Sequence, residues 1–311
     1  MPDTTGPRRE VRRFGIGEWY GELFTGLSPE ARRSRAALQR PGPLPDVPCP
    51  FLSRSGFNVR CNKKGGVCSL RLYVRDPTTG DVAVAPDDQG RLRTTCPNRL
   101  KEDGTIYRWV GETLIGDPNP TVLGEIGFLS RPANEDLVET GADVGRIDNV
   151  LVAAHGDRLD WCALEIQAVY FQGDEMGVEF RSLAQQTQAA LPFPAGRRRL
   201  DYRSSGPKRL MPQLEIKVPS LRRWGKKMAV VVDEDFFSSL SRMDEVAHVS
   251  NCDIAWFVVR YVEEQGRAKL QPSRVALTTL ERAVEGLTAG LPVSLPEFER
   301  RIRAKLAEAQ R

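Results

Sequence analysis

The feature that most restricts this chain is a pair of apolar runs that carry carboxylates with them. Gly145-Arg146-Ile147-Asp148-Asn149-Val150-Leu151-Val152-Ala153-Ala154 is followed by a polar link, residues 155–160, and then by Trp161-Cys162-Ala163-Leu164-Glu165-Ile166-Gln167-Ala168-Val169-Tyr170-Phe171. Two such runs joined by a short turn-rich link read as a β-hairpin. With the link central, paired residue numbers sum to about 315, which places Asp148 opposite Gln167 and Glu165 two residues along on the same face. Three polar groups then meet at one end of a buried hairpin. Exposed strand-end charges are the plain alternative, but Glu165 is flanked on both sides by strongly apolar sequence.

Two carboxylates buried together repel unless a cation neutralises them, and an all-oxygen ligand set favours a hard divalent ion, Mg²⁺. Such an ion polarises a phosphoryl group and lowers the pKa of an attacking water, so the implied chemistry is phosphodiester hydrolysis. Asp148, Glu165 and the backbone carbonyl of Ile166 are the expected ligands, with Gln167 orienting the water. This arrangement resembles the PD-(D/E)xK nuclease pattern, with Gln167 where that pattern has lysine. A neutral amide neither takes a proton nor carries positive charge. A second match, Asp201 with Glu215-Ile216-Lys217, has the lysine, but Asp201 leads into Tyr202-Arg203-Ser204-Ser205-Gly206-Pro207-Lys208, which cannot form the required strand. Lys217 is left to line the first site or to pair with Glu215. Glu125, expected on a helix before the hairpin, is a further candidate carboxylate.

Six cysteines divide into two sets. Cys162 and Cys252 sit in apolar segments and read as small buried hydrophobes. Cys49, Cys61, Cys68 and Cys96 are separated by eleven, six and twenty-seven residues in a loop-rich stretch poor in core, bracketed by Pro50, Gly65-Gly66 and Pro97. That spacing is not a zinc ribbon. A tetrahedral four-thiolate site would nonetheless supply folding energy that the missing core does not, and it accepts zinc or iron alike. Lys63 and Lys64 would project from it as a basic loop.

Around these features the chain reads as mixed α/β. Residues 1–40 read as a helical, basic N-terminal segment ended by prolines at 41–50, with the helix over 11–40, where Trp19, Leu23 and Leu27 fall at spacing four and Arg32, Arg33 and Arg35 follow. A partner contact or a solvated face would account for the arginines. The cysteine subdomain spans 41–110, and 111–311 forms an α/β core with C-terminal helices. Within it, residues 121–131, 181–191, 234–243 and 278–287 read as helices, 149–154, 161–171 and 254–262 as strands, and 214–218 and 228–232 as further apolar runs. A last helix starts at the capping box Ser294-Leu295-Pro296-Glu297 and repeats Phe298, Ile302 and Leu306 at four. The 311 residues are 40% apolar, and Lys+Arg 45 against Asp+Glu 41 leaves a net charge of +4. That balance permits a polyanion partner without demanding one. No run approaches the roughly 18 apolar residues of a membrane span. Residues 1–14 lack a secretory apolar core, so a reducing cytoplasm is the expected setting and disulfides are not.

Cys49, Cys61, Cys68 and Cys96, then Arg146-Ile147-Asp148, then the run from Asp160 to Phe171 with its Glu165-Ile166-Gln167, together resemble the NotI restriction endonuclease family. The likeness spans most of residues 40–235. It implies a PD-(D/E)xK fold with a mixed central sheet flanked by helices and a four-cysteine metal loop. It also implies a homodimer cutting a GC-rich palindrome in double-stranded DNA with Mg²⁺, iron in the cysteine site, and Asp148, Glu165 and Gln167 at the active site. Arg197, Arg198, Arg199, Arg203, Lys208 and Arg209, with Arg222, Arg223, Lys226 and Lys227, form a basic stretch suited to phosphate contacts. His155 and His248 stand alone and are read as structural. The rival readings are a repair or mobile-element nuclease on the same core and a metal-stapled DNA-binding protein without chemistry.

Overall fold

Gly15 and Gly17, alternating with Phe14 and Ile16, make the N-terminal segment a strand and not the helix that the spacing of Trp19, Leu23 and Leu27 suggests. The chain reverses at Tyr20 and Gly21, both at positive φ. Trp19 therefore ends β1 (Val11–Trp19) and Leu23 ends β2 (Glu22–Leu23). The computed structural model describes residues 10–39, 44–53, 57–130, 143–155, 158–288 and 293–309. The Arg- and Pro-rich residues 1–9 and the first prolines of the 41–50 stretch lie outside them. The helix expected in this region is shorter, α1 (Pro29–Ala37), opened by Pro29 and by Ser28, whose hydroxyl accepts from the Ala31 amide at 3.2 Å. Its arginines bond inward: Arg32 lies over the Phe24 ring at 5.0 Å, Arg33 donates to the Gln186 carbonyl at 2.8 Å and Arg35 to the Trp19 carbonyl at 2.6 Å.

β1 pairs antiparallel with β3 (Val67–Arg75), which also carries β4 (Val82–Val84) and β5 (Arg93–Thr94), giving a five-stranded sheet. After α2 (Thr105–Ile115) come β6 (Thr121–Ser130), β7 (Asp143–His155) and β8 (Arg158–Ile166). Residues 121–130 form an edge strand and not a helix. Gly124 and Gly127 would each cost about 1 kcal/mol inside a helix, whereas an edge strand accommodates them through the register break after Gly127. Next are β9 (Tyr170–Gly173), α3 (Met176–Ala184), β10 (Arg198–Asp201), which pairs with β9, and α4 (Tyr202–Ser205). A π-helical turn at Gly206–Leu210 leads into α5 (Met211–Arg223). The apolar run 214–218 is thus helical. It is followed by β11 (Met228–Asp233), α6 (Glu234–Ser238), β12 (Ile254–Glu264), β13 (Arg267–Thr278), α7 (Leu280–Thr288) and α8 (Leu295–Ala309). α6 stops five residues short of the expected end.

The central sheet has six strands in the order β13-β12-β11-β8-β7-β6. β11 runs parallel to β8 and β12, and the remaining pairs are antiparallel. Helices cover both faces, as a mixed sheet with parallel central strands requires. Val150, Ala163, Val230 and Trp256 pack on one face against Leu214, Val218 and Leu221 of α5 and Ala283 and Leu287 of α7. Leu151, Leu164, Val231 and Phe257 pack on the other against Ile106 and Val110 of α2. The fold is mixed α/β with a mixed central sheet flanked by helices. Among the described residues no helix is long and apolar enough to cross a membrane.

The two sheets join beside the end of β8. The Thr94 amide donates to Asp233 at 2.7 Å, the Thr94 carbonyl accepts from the Val169 amide at 2.8 Å, and Arg71 pairs with Glu263 at 2.5 Å.

Candidate active site

β7 and β8 form the expected hairpin, with a register two residues tighter than expected. Asn149 pairs with Leu164 and the ladder runs on to His155 and Arg158, so pair numbers sum to 313. Residues at both ends of the polar link extend the strands, which shortens the turn. Continued one step past Asn149 and Leu164, this register sets Asp148 opposite Glu165, not opposite Gln167. Both lie on the α5 face, because side chains on one face recur at every second residue.

Glu165 is 4% exposed, and Val230 on the neighbouring parallel strand is its register partner. The Asp148 side chain is 61% exposed and forms the rim. Burial pushes the Glu165 carboxyl up to about 7; Lys217 pulls it down, and Asp148, within hydrogen-bonding reach, raises it further. Lys217 arrives from α5. Its ammonium bonds to Glu165 Oε1, lies 3.3 Å from Gln213 Oε1 and 3.8 Å from Asp148 Oδ1, and its side chain is 8% exposed. The Gln167 amide donates to the Val231 carbonyl at 3.0 Å, and its side-chain Nε2 to the Ala168 carbonyl at 2.6 Å, so that nitrogen points to neither carboxylate. Glu165 lies one residue from the carboxyl end of β8, beside Val230 within β11.

The other candidates are sorted by the same geometry. Asp201 caps α4, accepting from the Ser204 amide at 2.9 Å, and Glu215 is exposed on the side of α5 away from Lys217. The second match to the nuclease pattern is therefore not assembled, and its lysine joins the first. Glu125 lies on β6, not on a helix, and pairs at the surface with Arg146 at 3.1 Å. A sign of Lys217 was available in the sequence. It shares the buried stripe Leu214, Val218 and Leu221, where a charge needs a partner.

The basic stretch divides in two. Arg198 is buried against Glu179 at 2.8 Å, Arg222 pairs with Asp253 at 2.5 Å, and Lys227 bonds to the Ser250 and Cys252 carbonyls. These residues hold the fold together. Arg203, Lys208 and Arg209 stay exposed on the segment leading into α5. Arg209 stacks 4.0 Å over the ring of Tyr170, three residues beyond Gln167.

Cys49, Cys61 and Cys68 lie in one buried cluster with Phe51, and Cys96 joins it through its amide, which donates to the Cys68 carbonyl at 3.2 Å. The Cys61 thiol hydrogen-bonds Cys49, which pulls Cys49 down to about 6 and pushes Cys61 up. Gly66 holds the loop: its φ is +66° and a Cβ there would lie 2.2 Å from the Tyr20 ring. Lys63 does not project as expected, since its ammonium folds back onto the Thr95 carbonyl at 2.9 Å; Lys64 is exposed. Cys162 and Cys252 are both 1% exposed. Among the described residues no group of three or more His, Cys, Asp or Glu side chains has an arrangement that holds a metal ion.

A search of curated proteins finds no match. A family model described as restriction endonuclease NotI matches residues 33–271, which include all four clustered cysteines, Asp148, Glu165, Gln167 and Lys217. The chain belongs to the NotI restriction endonuclease family and is a type II site-specific deoxyribonuclease.

Proposed function

We propose that the chain cuts double-stranded DNA with Mg²⁺ at the Asp148–Glu165 pair, on a PD-(D/E)xK core. The observation that carries this is the meeting of a buried and a rim carboxylate across one hairpin, with a third charged group delivered from α5. The residues suit the ion: Mg²⁺ needs only one or two protein carboxylates, its remaining ligands being water and phosphate oxygens. Asp148, Glu165 and the Ile166 carbonyl would hold it. When bound it supplies Lewis acidity and a more acidic attacking water. Glu165 is fixed by the sheet around it, Asp148 faces arriving substrate, and the Gln167 side-chain oxygen is free of the bond made by its nitrogen and accepts from the water. Arg203, Lys208 and Arg209 are the proposed phosphate contacts.

The finer reading follows the family resemblance: a homodimer, its two-fold axis matching a GC-rich palindrome, and iron or zinc on the four thiols of Cys49, Cys61, Cys68 and Cys96. Four buried thiols, three of them clustered with Phe51, support an ion there.

Digestion of sequenced, unmethylated genomic DNA with Mg²⁺ and with EDTA, reading every fragment end, tests the proposal. Ends sharing one palindrome and appearing only with Mg²⁺ are expected. Scattered ends would point to a structure-guided nuclease, and bound but intact DNA to a non-catalytic protein. Asp148→Asn and Glu165→Gln should each lower cleavage on the order of a thousandfold while leaving DNA binding in place, since a lost ligand forfeits several kcal/mol of transition-state stabilisation. Cleavage by Asp148→Asn at the unsubstituted rate would sink the site.

A further inference from the structure

We infer that Lys217, carried on helix α5, supplies to the scissile phosphate the positive charge that Gln167 cannot. The inference rests on reading Asp148 and Glu165 as the metal-binding pair. Gln167 is uncharged, and its side-chain nitrogen bonds to the Ala168 carbonyl. Lys217 instead approaches both carboxylates from α5.

Three observations support this. Lys217 puts a charge on a helix face otherwise made of Leu214, Val218 and Leu221, and that face directs its ammonium at both carboxylates. Its ammonium has three donors. One is on Glu165 and one on Gln213, while Asp148 at 3.8 Å is beyond hydrogen-bond range, so one donor has no protein oxygen within reach among the described residues. Charge also balances. Two carboxylates and one ammonium leave a single negative charge, a divalent ion turns it into a single positive one, and one phosphodiester neutralises that.

In the reaction the oxygen of water bonds to phosphorus and the bond from phosphorus to the leaving sugar oxygen breaks. The attacking water gives a proton to solvent, and the leaving oxygen takes one from solvent. Lys217 keeps its own protons throughout and donates a hydrogen bond to a non-bridging phosphate oxygen as charge builds there. Gln213, one turn earlier on α5, holds the ammonium in place.

The test uses the full chain and a duplex containing a site that the unsubstituted protein cuts. Cleavage is followed with Mg²⁺, DNA binding with Ca²⁺, and folding by thermal melting, for Lys217→Met, for Lys217→Met with Gln167→Lys, and for Asp148→Asn. Lys217→Met is expected to lose about a hundredfold or more in cleavage, the scale of removing one transition-state donor, with Ca²⁺-supported binding retained. Moving the lysine to position 167 should restore part of the loss. Cleavage by Lys217→Met at the unsubstituted rate, with Asp148→Asn inactive, overturns the inference and leaves the metal site standing. Cleavage by Asp148→Asn removes the underlying reading itself. If Lys217→Met does not melt cooperatively, Lys217→Gln keeps a hydrogen bond to Glu165 without the charge. The same hundredfold loss is then expected, and an unsubstituted rate is equally decisive against the proposal.

Discussion

Arg99 joins three parts of the molecule through one fully buried side chain. Its Nε lies 2.9 Å from Glu18 on β1, one terminal nitrogen bonds to Glu102 at 3.0 Å, and the other donates to the Ala268 carbonyl on β13 at 2.7 Å. The guanidinium is also stacked between the rings of Phe51 and Tyr261, at 4.6 and 4.4 Å. Arginine suits this position because its planar fork serves several acceptors while its faces meet aromatics. Burial pushes Glu18 up, and Arg99 and Ser69 act against that rise. Replacing both partners by apolar residues can be nearly neutral, but removing one strands a buried charge. Arg99→Met is therefore expected to cost about 3–5 kcal/mol, measured by urea unfolding, while Glu18→Gln/Arg99→Met recovers part of it. A loss below about 1 kcal/mol for the single variant would mean that the pair is effectively solvated. Arg99 gave no signal in the sequence, because, Glu102 apart, its partners lie 81 and 169 residues away.

At the level of elements, α8 shows how far local pattern reaches. The Ser294 half of the capping box is present, its hydroxyl accepting from the Glu297 amide at 3.4 Å, while the Glu297 carboxylate pairs with Arg300 and Arg301. Yet the repeat at four points outward: Leu295, Phe298, Ile302 and Leu306 are all exposed, and none of the helix is buried. Local signals form the helix, but among the described residues nothing covers it. Deleting residues 293–311 should thus move the melting temperature by no more than roughly 2 °C, and a larger drop would show that α8 docks on the core. The same distinction explains what the sequence disclosed elsewhere. The hairpin of β7 and β8, β12 and the last two helices follow from short-range pattern and were legible. β1 and β6 were not, since their apolar residues happen to recur at helical spacing and pairing with distant strands decides their state. At the site, Asp148 and Glu165 were legible as carboxylates within apolar strands. Their direct opposition depended on the strands pairing up to His155 and Arg158, which shifts the register by two from the one composition suggested, and Lys217 depended on α5 folding back across the sheet.

Across the whole molecule, the cysteine cluster and the active site are linked by a short span of backbone. Cys96 follows Thr94 and Thr95. The Thr94 carbonyl accepts from the Val169 amide two residues beyond Gln167, and its amide donates to Asp233 at the end of β11. Lys63, between two of the cysteines, bonds to the Thr95 carbonyl. β11 and the segment that follows β8 are therefore fastened to β5, and β5 is fastened to the cysteine loop. An ion on the four thiols would set the position of β5 and, through it, the backbone next to Gln167. Cys61→Ser is expected to lose the bound ion and make residues 41–105 sensitive to protease. It should also lower DNA cleavage although no atom of Cys61 belongs to the catalytic group. Metal analysis of the purified protein, limited proteolysis and a cleavage assay on the same sample check this together. Unchanged metal content and protease resistance would remove the ion from the cysteine cluster. Loss of the ion with full cleavage would show that β5 is held well enough by Asp233 and Val169 alone, and that the loop serves stability without reaching the chemistry.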